Sequence, residues 1–125
     1  MNLENILEKM TKLDSFNMAA KVLNNLVRYL EGKTRSERFE EHRRCDFDAL
    51  EKRLECVSYP PVGGCISDTS SWSDSAGDTI FFRTGDYFAV SYWTGEDIVS
   101  IYEVSADRDL CESIASEDPV FTLSI

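Results

Sequence analysis

The sequence predicts an α+β chain: about three N-terminal helices packed on a C-terminal, mostly antiparallel four-stranded sheet, with one short helix before the last strand. Three observations lead there. Apolar residues recur at intervals of three and four through residues 1–57. Between Asp78 and Val104, three apolar, β-branched and aromatic runs are separated by two near-identical turns, Thr84-Gly85-Asp86 and Thr94-Gly95-Glu96. Residues 58–77, rich in serine, proline and glycine, part these two regimes. The length of 125 residues suits one domain, read as a helical part over 1–57, a connector over 58–77 and a meander over 78–125.

Leu3, Ile6, Leu7, Met10 and Leu13 form one stripe of a first helix, with Asn2 placed to cap it. Asp14 and Ser15 favour caps and predict a break. A second helix is then expected from Phe16 to Glu31, its stripe of Phe16, Ala19, Ala20, Leu23, Val27 and Leu30 widened by Val22 and Leu26. Gly32 stands where a left-handed C-terminal residue belongs. Thr34-Arg35-Ser36-Glu37 fits a capping box opening a third helix to about Cys56, with Asp46 able to restart it. The dense mixed charge from Lys33 to Arg44 reads as a solvated face, since between Lys33 and Cys56 seven basic residues meet seven acids.

The connector ends in a serine-rich run around Trp72, read as an aromatic anchor into the core. In the meander, glycine in each T-G-acid turn marks a hairpin. The two glycines lie ten residues apart, the spacing of three antiparallel strands. Both faces of the meander are rather apolar, so helices should cover one face, and the other is left for partial cover or binding. Ser105 is placed to cap a short helix containing Leu110 and Ile114. Pro119 opens a last strand, in which Phe121, Leu123 and Ile125 are expected to face the core.

Charge is distributed unevenly. Residues 1–57 carry 11 Lys/Arg and 11 Asp/Glu, whereas residues 58–125 carry 2 and 12, so the whole net charge of −10 arises in the second half. That excess argues against binding phosphate there. No apolar run approaches the roughly 20 residues of a membrane-spanning helix. The N-terminal residues lack the basic and apolar regions of a secretory signal. A cytoplasmic protein is expected, or one of the host cytoplasm if it is virus-encoded.

Catalytic chemistry finds little support. His42 is the single histidine and stands among charges on a helix with no nucleophile beside it. Cys65 follows Gly63-Gly64 in a loop, without a basic cluster to lower its pKa. His42, Cys45, Cys56 and Cys65 make an H-x2-C-x10-C-x8-C series, which lacks the tight knuckle of common zinc modules. No phosphate-binding loop, dinucleotide fingerprint, H-E-x-x-H or G-x-S-x-G is present. The paired acids Asp46 and Asp48, and Asp107 and Asp109, splay apart on a helix. The sequence therefore points to no enzyme, cofactor or metal.

Binding remains. Asp86, Glu96, Asp97, Glu103, Asp107 and Asp109 lie on turns and strand ends, with Tyr92 and Trp93 as aromatic anchors beside them. If these acids gather, they would attract a basic protein and speed its association. The expected function is a small acidic, non-catalytic protein that inhibits or regulates a basic, nucleic-acid-handling partner. That is the logic of DNA mimics, immunity proteins and phage anti-defence proteins, an analogy of size and composition alone. No direct contact with nucleic acid or membrane is expected. The alternative is a homo-oligomeric or accessory subunit, and behind it a small enzyme using Cys65 or His42.

Overall fold

The computed structural model describes residues 2–31, 33, 37 and 66–125. The predicted third helix, with His42, Cys45, Cys56 and Cys65, lies outside the described residues, as does Gly32.

Helix α1 spans Leu3–Leu30 without interruption. Asn2 caps it as expected, its Oδ1 accepting from the Asn5 amide at 2.9 Å. The predicted break at Asp14-Ser15 does not occur, so the first two expected helices are one. Mid-helix Asp and Ser lose only about half a kcal/mol each to alanine, which neighbouring good helix formers and tertiary packing override. Ser15 is also buried against the β2–β3 turn, where its small size permits close approach.

A helix of 28 residues is about 42 Å long, roughly twice the length of the strands it meets. Only its C-terminal half is seated. Residues 2–11 are all exposed, and the buried stripe runs Ser15, Ala19, Val22, Leu23, Leu26 and Leu30.

The sheet has five strands in sequence order, β1 (Ile66–Asp74), β2 (Gly77–Thr84), β3 (Phe88–Trp93), β4 (Ile98–Glu103) and β5 (Phe121–Ser124), with every neighbouring pair antiparallel. Short helix α2 spans Leu110–Ser116, between β4 and β5. The expected strand count of four is corrected by β1, which occupies the second half of the predicted connector. Its turn is built by Asp74, whose Oδ1 accepts from the amides of Ala76 at 2.8 Å and Gly77 at 3.1 Å. α2 also begins later than expected: Asp109, not Ser105, caps it, accepting from the Glu112 amide at 2.9 Å.

The two sheet faces carry separate apolar clusters. One joins Val22, Leu23 and Leu26 of α1 to Ile80, Phe82, Val90, Tyr92, Val99 and Ile101. Phe16 meets Phe88 edge to face, centroids 5.5 Å apart. The other cluster, smaller, joins Leu110 and Ile114 to Phe81, Ala89 and Val104, with Trp72 and Tyr102 at its border. α1 packs mainly on β2, β3 and β4. Phe121 and Leu123 therefore share the α1 face through their pairing with Ile101 and Val99, yet remain 43% and 38% exposed. Among the described residues, no helix is long and apolar enough to cross a membrane.

Candidate functional site: an aromatic cavity on the second sheet face

α2 is seven residues long and covers only part of the second face. The uncovered part is a cavity of about 320 Å³, within the size range of small-ligand sites. Strand register explains its shape. Trp72, Thr79, Trp93 and Ile98 lie in one cross-strand row, and Phe81, Ser91, Ser100 and Thr122 in the next. Small hydroxyl side chains hold the middle of each row and form the floor. Trp72, Trp93, Ile98, Tyr102 and Ile114 rise around them as walls.

The walls are held in place. Trp72 tilts over Phe81 with ring centroids 4.7 Å apart. Trp93 folds back onto the β3–β4 turn, so close that a Cβ added at Gly95 would lie 2.6 Å from its indole. That turn is tied to the β1–β2 turn. The Thr94 amide donates to the Asp78 carbonyl at 2.9 Å, and the Asp78 amide donates to Thr94 Oγ1 at 2.8 Å.

The floor is chemically incomplete. Ser91 and Ser100 face each other across β3 and β4, each 4% exposed, and both line the cavity. Neither hydroxyl has a hydrogen-bond partner among the described residues. Buried hydroxyls are ordinarily paired. Among the described residues, Asp74 is the one charged residue of the lining, and no Lys or Arg joins it.

Both arginines of the acidic half are engaged elsewhere. Arg83 is buried beneath the loop that leads to α2. Its Nη1 donates to the carbonyls of Val104 at 3.2 Å and Ser105 at 2.9 Å, and its Nη2 to that of Arg108 at 2.8 Å. Arg108 pairs with Glu117 at 3.1 Å.

Of the eight residues expected to bind a partner, the structure places four acids at one end of the sheet and the other four elsewhere. Successive hairpin turns alternate between the two ends of a meander. Asp86, Glu103, Asp107 and Asp109 are exposed at the β2–β3 end, while Glu96 is exposed at the β3–β4 end. Glu103 pairs with Lys12 at 3.1 Å, and its carboxylate raises the Lys12 pKa. The Ser105 hydroxyl donates to Asp107 at 2.7 Å and, with a backbone amide, holds that carboxyl below its usual range.

Asp97 and Tyr92 are withdrawn from solvent. Asp97 is 9% exposed, and its Oδ1 accepts from the Tyr92 hydroxyl at 2.7 Å. Tyr92 is 1% exposed beneath α1. Trp93 alone of the eight lines the cavity. Tyr92→Phe should lower stability by about 2 kcal/mol, the range for a lost hydrogen bond to a charged group, without altering the second face. Denaturant unfolding together with an unchanged tryptophan spectrum would establish this.

Tyr102 supplies a pH test of the cavity wall. Burial, then the Asp118 carboxylate, pushes its phenol above the ordinary value near 10. The fold accepts the neutral phenol, and the unfolded chain ionises first as pH rises. Stability from this group is therefore constant below about pH 10 and falls above it. Tyrosinate absorbance should show a late-titrating ring that disappears in Tyr102→Phe.

Among the described residues, no cluster of His, Cys, Asp or Glu could hold a metal ion. Cys111 is an exposed free thiol. Sequence reasoning found Trp72 and Trp93 singly, but not Ser91 and Ser100. Their signal was a small polar residue at the centre of two adjacent apolar strands. Compared with known proteins, the chain matches no family model, no curated protein and no solved structure.

Proposed function

We propose that this protein is a non-catalytic binding protein whose working surface is the open second face of the sheet, and whose partner is a basic protein of the kind that handles nucleic acid. The observation that carries the reading is the cavity: aromatic walls, a floor whose Ser91 and Ser100 hydroxyls have no partner among the described residues, Asp74 in the lining and, among the described residues, no cation. Aromatic side chains flanking a partly desolvated hollow are the usual anchors of binding energy. The negative field of the C-terminal half favours a cationic occupant and speeds its encounter. The acids at both sheet ends act through this field, not as a single patch.

Affinity capture from extract tests the reading at low and high salt. Captured partners should be basic and released by salt, and Trp93→Leu should weaken their capture. Neutral or acidic partners, or salt-insensitive capture, would defeat it.

A second reading has its own support. Leu3, Ile6, Leu7, Met10 and Leu13 are 40–69% exposed on the overhanging half of α1. Their 3-6-10-13 core follows the a/d spacing of a two-helix seam, which a second copy of the chain would cover. Sedimentation showing a monomer at high micromolar concentration would rule against this assembly.

A further inference from the structure

We infer that the cavity on the second sheet face is a receptor for a guanidinium group, an arginine side chain presented by the partner; this rests on the binding reading above and names the group recognised. Trp72 and Trp93 flank Thr79 on three successive strands, so their Cα atoms are two strand spacings apart, about 10 Å. Thr79 between them is small, and both indoles line the hollow above it, so a planar group entering there can lie against an indole face. A guanidinium is planar, weakly hydrated and stacks on aromatic faces, which a compact ammonium does not do.

Polarity points the same way. A guanidinium carries five donors and no acceptor. The floor offers the hydroxyl oxygens of Ser91 and Ser100, both more than nine-tenths buried and both without partners among the described residues. Donors entering from above would satisfy acceptors that the sheet leaves open. Asp74 supplies countercharge: one carboxylate oxygen is held by the Ala76 and Gly77 amides, and the other has no hydrogen bond in the turn. An anionic ligand would meet that carboxylate with no cation among the described lining residues to receive it, so the lining disfavours phosphates and carboxylates. A purely apolar ligand would leave the two hydroxyls buried and unpaired.

The protein carries its own reporter. It has two tryptophans, and both line the cavity, so its indole emission arises from the cavity walls. Titration with acetyl-Gly-Arg-Gly-amide should give a saturable change in that emission. The citrulline counterpart has the same shape without the charge and should bind about tenfold more weakly, and the lysine counterpart several-fold more weakly. Trp93→Leu, which leaves Trp72 as reporter, and the Ser91→Ala/Ser100→Ala pair should each abolish saturation while far-ultraviolet circular dichroism is unchanged.

Absence of a saturable response to the arginine peptide into tens of millimolar overturns the inference. So does an equal response to the citrulline or lysine peptide, or binding that survives both variants. The two readings fail separately. An arginine response confined to the cavity, with no basic protein captured, refutes the partner and keeps the receptor. Salt-sensitive capture of a basic protein with the peptides silent does the reverse.

Discussion

Arg83→Ala should lower stability by about 3 kcal/mol and release α2 from the sheet. The guanidinium is 7% exposed and gives three hydrogen bonds to the carbonyls of Val104, Ser105 and Arg108. Those carbonyls belong to the loop that turns β4 into α2; that of Ser105 also accepts from the Arg108 amide at 3.0 Å, so the cost falls mainly on the other two. A hydrogen bond from a charged donor is worth about 1.5–3 kcal/mol, and a buried carbonyl left alone loses about 1–3 kcal/mol. Water can reach the Ser105 and Arg108 carbonyls, which are part-buried, so the total falls well below the sum. Asp68, at 3.8 Å and largely exposed, adds little. Arg83→Lys should recover less than half, because an ammonium cannot span three acceptors that a planar fork spans. Because Ile114 of α2 borders the cavity, tryptophan emission should shift to the red in Arg83→Ala before global unfolding. Denaturant unfolding followed by far-ultraviolet circular dichroism and by fluorescence would give two separate midpoints. Coincident midpoints with an unshifted native spectrum would show that the arginine is not what holds α2.

Most of this fold was legible because its elements announce themselves locally. The α1 stripe, the Asn2 cap and the β2–β3–β4 meander followed from periodicity and turn chemistry. β1 did not, since a run dominated by Ser and Asp has weak strand propensity. Its outward positions are polar because it is an edge strand, a protection that reads as loop in one dimension. The Asp74-Ser75-Ala76-Gly77 stretch immediately before a strand was the available clue to a hairpin. The false break at Asp14-Ser15 came from the opposite error, a local preference taken over a tertiary one.

The site was less legible than the fold. Acids and aromatics can be counted in a sequence, but their gathering depends on which end of the meander each turn occupies and on which face each ring takes. Tyr92 and Trp93 are neighbours in the chain and point to opposite faces, one sealed beneath α1 and one lining the cavity. Among the described residues, α2 is too short to cover the whole face it packs on, and the cavity lies beside it. That length follows from its cap at Asp109 and its end at Glu117, details below the reach of pattern reading.

Gly95 shows how a turn that looks like its twin can serve a different purpose. Both T-G-acid turns suggest a glycine chosen for positive φ, and Gly85 fits, with φ +66°. In the second turn the left-handed residue is Asp97, at φ 55°. Gly95 is required for space: an added Cβ would lie 2.4 Å from the Ala76 carbonyl oxygen and 2.6 Å from the Trp93 ring. The Ala76 contact is backbone and cannot yield without parting the two turns that Thr94 and Asp78 bind together. Gly95→Ala should therefore lower stability by about 3 kcal/mol, the upper part of the range for overpacking. Gly85→Ala should lose about 1 kcal/mol, the left-handed penalty alone, because its nearest neighbour would be Ser15 Oγ at 3.6 Å. The two substitutions should also separate in function. Gly95→Ala displaces Trp93 and should weaken binding at the cavity, whereas Gly85→Ala, at the other end of the sheet, should leave the tryptophan spectrum unchanged. Equal losses of stability would mean that φ, and not close approach, sets the need for glycine at both turns.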